Sequence, residues 1–258
     1  MLCAKRKSDS KTAIAIDEPK GKGPYACPAC ESEVILRKGS IRVSHFAHKP
    51  PVTCTYGIGE SDERRRCKIA IFTALQTLPN VSKLQLERFL KTVRPDVSCY
   101  IGKTPVTIEV QISSLPLEVV IHRTAEYARL GIYLLWVSPW NPELESERYT
   151  PCVWEKWLHA TYFGRVYYWR AASWLTPVHF EKHYLHVEEK SWYESGGNEV
   201  VVGGYDRTSK RYRTPRKGKD VFIARDFHPI EKEPWEGGGL KIPACRLWMD
   251  SQSLKKWD

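Results

Sequence analysis

The stretch RPDVSCYIGKTPVTIEVQIS, residues 94–113, decides the fold. Two apolar runs, 96–101 and 105–112, flank the pair Gly102-Lys103. A glycine pair of this kind between two such runs predicts a tight hairpin. Asp96 opens the first run, and Glu109 sits inside the second, where a buried strand should carry no charge. Counted back across the turn, Asp96 falls against the end of the partner strand, near Glu109 and Gln111. Period-two alternation puts Glu109 and Gln111 on one face and Ile108, Val110 and Ile112 on the other. Two carboxylates this close repel unless a cation neutralises them. A hard, oxygen-ligated divalent ion such as Mg²⁺ fits best, and such an ion can stabilise charge on a phosphate and activate water.

The flanking sequence builds a core around this hairpin. Residues 60–78 predict a helix, with acids in the first turn, Pro79 as the stop, and a stripe of Cys67, Ile71, Phe72, Leu75 and Leu78. A strand is expected over 82–90, a helix over 116–130 between Pro116 and Gly131, and a buried strand at IYLLWVS, 132–138. The order αβββαβ over 59–140 gives an α/β class fold, a mixed α+β sheet flanked by helices. Glu60 and Glu87 could each add a carboxylate. Lys68 lies two helical turns after Glu60, on the same face. Taken singly, all three read more simply as structural charges.

Toward the N-terminus, residues 1–23 are polar and Lys-rich, and read as a flexible leader with Cys3 exposed. Residues 24–58 have too few apolar side chains for a core of their own and need a staple. CPAC at 27–30 and HFAH at 45–48, with KGS at 38–40 as a turn between them, supply a zinc-finger-like pattern. Cys54 makes a fifth candidate for four places, beside Cys27, Cys30, His45 and His48. A full protein ligand set makes the Zn²⁺ structural.

Toward the C-terminus, Pro139, Pro142 and Pro151 mark a boundary, and 141–258 forms an aromatic and basic extension. Residues 152–169 have partly helical spacing. Their aromatics, Trp154, Trp157, Tyr162, Phe163, Tyr167, Tyr168 and Trp169, read as core. YDRTSKRYRTPRKGKD at 205–220 reads either as a solvated loop or as a nucleic-acid contact. In the second case Lys210, Arg211, Arg213 and Arg216 neutralise phosphates while tyrosines stack on bases.

The totals agree with such a partner. The chain has 258 residues and a net charge of +10, which favours a polyanion. No apolar run approaches the roughly 20 residues that span a bilayer, so no membrane partner is expected. The eight cysteines, without an apolar export signal, read as metal ligands and buried thiols in a cytoplasmic protein.

RPD at 94–96 and EVQ at 109–111, with Gln in the usual Lys place, resemble the motif of PD-(D/E)XK nucleases. The order CPAC, HFAH, Glu60-Ser61 with Lys68 down the helix, RPDV and IEVQIS is similar to the competence CoiA-like family over roughly 25–140. A looser similarity continues through 154–169, 177–180 and 203–215. The resemblance implies a restriction-endonuclease-like core with an N-terminal zinc element. It implies Mg²⁺ or Mn²⁺ held by Asp96 and Glu109, Gln111 orienting water or phosphate, and Glu60 assisting from the helix. Members often carry His where this chain has Arg64, and Gln111 loses a positive charge. Arg123 and Tyr127 match an R-x-x-x-Y pattern and would touch a phosphate or brace the hairpin, and Lys68 would contact nucleic acid from the helix. The implied activity is metal-dependent hydrolysis of DNA, in DNA uptake and recombination or in mobile-element conflict. The alternative is a catalytically inactive nucleic-acid-binding protein, which Gln111 and Arg64 favour. DNA is the expected partner, with a protein partner able to use the C-terminal region.

Overall fold

The Lys-rich N-terminal segment is folded. The structure is a computed structural model that describes residues 1–51, 53–54, 56–57, 59–112 and 115–253. Ser113, the last residue of the opening stretch, lies outside them. Five strands, β1 (Cys3–Arg6), β2 (Thr12–Ile14), β3 (Tyr25–Ala26), β4 (Glu33–Arg37) and β5 (His45–His48), form one antiparallel sheet in the order β2-β1-β3-β4-β5. The expected leader therefore supplies two strands. Its few apolar residues, Met1, Ala4, Ala13 and Ala15, pack on Tyr25, Val34 and Phe46. Neither segment has enough apolar surface alone, and together they close a small core. Cys3 is buried in the main core, not exposed on a tail.

The predicted order then appears: α1 (Asp62–Gln76), β6 (Val81–Leu86), β7 (Val97–Ile101), β8 (Thr104–Val110), α2 (Leu117–Arg129) and β9 (Tyr133–Pro139). Ser61 caps α1 by accepting from the Arg64 N–H, and Asp62 and Glu63 fill the first turn. The β7–β8 hairpin turns at Gly102, whose φ of +60° is the left-handed region that glycine enters freely. Val97 pairs with Ile108, which sets Asp96 opposite Glu109. The α2 crossover makes β8 and β9 parallel, with Glu109 beside Trp136. α1 packs along β6 to β10, and α2 packs on β9.

The proline-rich segment 139–151 interrupts the chain and not the sheet. After α3 (Val153–Thr161) come β10 (Val166–Ala171), β11 (Trp174–Val187), β12 (Lys190–Tyr193), β13 (Glu199–Val202) and β14 (Tyr205–Lys217). The main sheet runs β14-β11-β10-β9-β8-β7-β6. The helix expected over 152–169 stops early, because Phe163 (φ +51°) and Gly164 (φ +92°) turn the backbone into β10. The aromatics there do form core, except that Phe163 is exposed. Five short strands follow: β15 (Val221–Phe222), β16 (Phe227–Lys232), β17 (Trp235–Gly237), β18 (Leu240–Ile242) and β19 (Cys245–Asp250). β9 shares one edge between two partners. Leu134 bridges Leu247 of β19, while Val137 to Pro139 pair with β10. The C-terminal residues thus complete the same core, a mixed α+β arrangement built mostly of sheet.

The basic run at 205–220 is strand for most of its length. β11 and β14 pair as a long ribbon that leaves the core, and Ser209 is the only buried residue between Lys182 and Arg213. No helix among the described residues is long and apolar enough to cross a membrane.

Trp136 is fully buried, and its Nε1–H donates to Thr124 Oγ1 at 3.1 Å. It joins β9 to α2 behind Glu109. Trp136→Ala should cost about 3–5 kcal/mol. Denaturant titration would show this as a lower midpoint at an unchanged slope.

Candidate active site and metal knuckle

The candidate metal ligands come from one tight turn and two later segments. Cys27 ends β3. Its N–H donates to the Ser32 carbonyl at 2.8 Å, and the Glu31 N–H donates back to the Cys27 carbonyl at 3.0 Å. This turn brings Cys30 beside Cys27. His48 ends β5 and Cys54 follows it. The ligand atoms of Cys27, Cys30, His48 and Cys54 all lie within 4.8 Å of one another. Cys30 Sγ and His48 Nε2 are 3.4 Å apart. A tetrahedral zinc ion with ordinary bond lengths needs about 3.6 Å between such atoms. The N–H groups of Ala29 and Tyr56 each donate to a ligand sulfur, Cys27 Sγ and Cys54 Sγ, at 3.4 Å. These four residues could hold zinc as a closed site.

Burial pushes the Cys27 thiol up to about 11, while Ser32 first, then His48 and Cys54, hold Cys30 down to about 6 by hydrogen bonding. His45 is not in the cluster. Its Nδ1 lies 2.8 Å from the Val43 carbonyl, and burial lowers its pKa. The reason is strand geometry. His45 and His48 are three residues apart on β5, so they point to opposite faces, and one alone can reach the thiols.

The carboxylates gather around one buried ammonium. Lys68, on α1, is 2% exposed. Its Nζ lies 2.5 Å from Glu60 Oε1, 2.7 Å from Glu87 Oε1 and 3.2 Å from Asp96 Oδ1. Burial opposes its charge, but Asp96, Glu87 and Glu60 outweigh that and raise its pKa. Glu60 Oε2 also pairs with Arg65 at 3.3 Å and with the Met1 amino group at 3.4 Å. Glu87 Oε2 accepts from the Leu2 and Cys3 N–H groups at 2.9 and 3.1 Å, and from the Tyr56 hydroxyl at 2.6 Å. Burial would raise the Glu87 carboxyl, yet Lys68 above all holds it near 2.

Asp96 Oδ2 accepts from Arg64 Nη2 and from the Val110 N–H, each at 2.9 Å. Burial pushes Asp96 up, but Lys68, Arg64 and Arg123 together hold it well below the usual carboxylate range. Glu109 faces α2. Its Oε1 accepts from Arg123 Nη2 and the Tyr127 hydroxyl, while Oε2 is buried with no hydrogen-bond partner among the described residues. Burial raises Glu109 to about 7 against the pull of Arg123. Gln111 is buried just past β8, with its N–H donating to the Val137 carbonyl at 2.7 Å.

A cavity of about 430 Å³ opens beside this network, lined by Glu60, Arg64, Lys68, Glu87, Arg94, Asp96 and Arg123 and walled by Tyr56 and Gly57. The structure thus brings Glu60, Asp96 and Lys68 to one cavity, with Glu109 across the hairpin. Three of the residues expected near a phosphate have partners within the protein. Lys68, Arg123 and Tyr127 hold carboxylates, and Tyr127 is fully buried. Sequence reasoning passed over two further residues here, Tyr56 and Arg94. Arg94 stands in the RPD motif itself. On the ribbon, Lys210 and Arg211 are exposed, Arg213 Nη1 donates to the Ser209 and Tyr212 carbonyls, and Arg216 pairs with Glu181 at 2.9 Å.

A Cys₃His cluster that could hold a metal thus lies in the same chain as a sheet whose hairpin carries two facing carboxylates. Two family models match this chain. Competence protein CoiA, N-terminal domain, covers residues 8–57, and Competence protein CoiA, nuclease-like domain, covers residues 60–158. Together they span more than half of the sequence, and the chain belongs to the competence CoiA-like family. It is 29% identical over 120 residues to the Competence protein CoiA of Bacillus subtilis (strain 168). That alignment covers 45% of this chain and 32% of the relative, so the chain matches about a third of the relative's length. No solved structure matches.

Two outcomes are expected from this geometry. Metal analysis should find one zinc per chain, lost in Cys54→Ser and retained in His45→Ala. The raised Glu109 carboxyl has a pH consequence. Between about pH 4.5 and 7 the folded state keeps a proton that the unfolded chain releases, so this group makes stability fall as pH rises through that window. Glu109→Gln cannot ionise and should flatten the fall in unfolding titrations run between about pH 5 and about pH 8. Parallel wild-type and variant curves would count against that environment for Glu109.

Proposed function

We propose that this chain is a metal-dependent nuclease that hydrolyses DNA phosphodiester bonds with a restriction-endonuclease-like core. The observation that carries the reading is the pairing of Asp96 with Glu109 across the β7–β8 hairpin, beside a cavity lined with cations. The donor set fits Mg²⁺ or Mn²⁺. Glu109 Oε2 is buried and has no hydrogen-bond partner among the described residues, and it is the oxygen an ion would take up. Asp96 would be the second ligand, because the Lys68 contact at 3.2 Å is the longest of that ammonium's three and the easiest to release. The ion would supply Lewis-acid charge at the scissile phosphate.

The chain's own residues do the rest. Arg64 and Lys68 provide fixed positive charge where it develops on the phosphate oxygens. Lys68, reaching in from α1, supplies the charge that Gln111 does not. Gln111 orients the attacking water or the phosphate, and Glu60 holds Lys68 in place. Lys210 and Arg211 on the exposed ribbon extend the contact along the DNA backbone. A role in DNA uptake and recombination, or in mobile-element conflict, would fit such a nuclease, and the relative is named a competence protein.

One observation favours a second reading, a catalytically inactive nucleic-acid-binding protein. Asp96 already has two cationic partners, and an ion must compete with both. Cleavage assays separate the two. With Mg²⁺ or Mn²⁺, wild type should cut single- or double-stranded DNA, and Asp96→Ala and Glu109→Ala should each lose on the order of a hundredfold or more in rate. Intact DNA with wild type on every substrate, alongside unchanged binding, would establish the inactive binder.

A further inference from the structure

We infer that Arg94 is a phosphate-binding residue of this cavity, held ready by an aromatic seat that the metal knuckle supplies. The other cations of the site are engaged: Arg64 on Asp96, Lys68 on three carboxylates, and Arg123 on Glu109. Arg94 lines the same cavity and has no hydrogen-bond acceptor or carboxylate partner among the described residues, and its Nε is buried and unsatisfied. A half-buried guanidinium without an acceptor is costly unless a ligand completes it.

Its position is nevertheless fixed. The guanidinium carbon lies 3.3 Å from the centre of the Tyr56 ring and 5.7 Å from that of Phe89. Stacking fixes the plane and leaves the edge donors free, which suits two oxygens of one phosphodiester. The main chain is held too, since the Arg94 carbonyl accepts from Arg123 Nη2 at 2.8 Å and Pro95 follows. Tyr56 in turn is set by two bonds. Its hydroxyl donates to Glu87 and its N–H to the sulfur of the metal-ligand candidate Cys54. The knuckle therefore aims the seat, and the seat aims Arg94 at a site two residues from Asp96. A phosphate contact of this kind carries no base preference.

The inference rests on the reading that the cavity takes nucleic acid, and binding tests it independently of cleavage. Fluorescence anisotropy with labelled single- and double-stranded oligonucleotides, with no divalent ion added, would be run on the zinc-loaded full chain over a range of salt. Arg94→Ala should weaken binding about tenfold or more for any sequence, and should lower the salt slope by about 0.7 on single strands or about 0.9 on duplex. Arg94→Lys should keep the slope and lose part of the affinity, because it keeps the charge and loses the fork. Wild-type affinity and slope in Arg94→Ala overturn the inference alone. Should Arg94→Ala not fold, undiminished affinity in Arg94→Lys overturns it. A wild type that binds no nucleic acid overturns this inference and the proposed function together. A wild type that binds but does not cut, with the Arg94 losses as stated, removes only the nuclease.

Discussion

The structure depends on one buried ammonium. Lys68 sits among Glu60, Glu87 and Asp96, which come from three separate places: the approach to α1, the end of β6 and the start of β7. Burying any one of these charges alone would cost several kcal/mol, and removing one partner of such a group commonly costs about 3–5 kcal/mol. The arrangement is stable because each charge answers another. Glu87 extends it further, since its second oxygen takes the amides of Leu2 and Cys3 and the hydroxyl of Tyr56. The Cys₃His knuckle and the nuclease-like core are therefore two faces of one charge network, and the cavity lies where they meet.

That network also explains why the two hairpin carboxylates differ. Asp96 is answered from α1 by Lys68 and Arg64, and stays ionised. Glu109 is answered from α2 by Arg123 and Tyr127 on one oxygen only, and burial wins. Two acids that face each other across one register thus hold their protons differently, a separation that helps paired carboxylates take different roles.

The hairpin was legible in the sequence because every signal there is local. The strands observed, Val97–Ile101 and Thr104–Val110, lie within two residues of the expected bounds, and Asp96 meets Glu109 as the count across Gly102 required. Lys68 was not legible. Its burial depends on acids 19 and 28 residues away, and from α1 alone it reads as a solvated helix charge. The first strands were missed because their apolar residues are mostly alanines whose partners lie in another segment. The exclusion of His45 was available in principle from its odd spacing to His48 on a strand. The basic ribbon gave no period, since two strands outside the core have no buried face to mark.

The reach of Glu87 has a consequence for how the chain is made. Synthesis runs toward the C-terminus, so the knuckle sequence leaves the ribosome before the core and can gather its thiols early. Leu2 and Cys3, however, wait for an acceptor 85 and 84 residues downstream. Lys68 waits in the same way for Asp96, 28 residues on. A nascent chain that ends before Glu87 holds a knuckle without its dock and an ammonium without two of its acids. The two pieces that the family models describe separately are thus tied together only once Glu87 and Asp96 have been made.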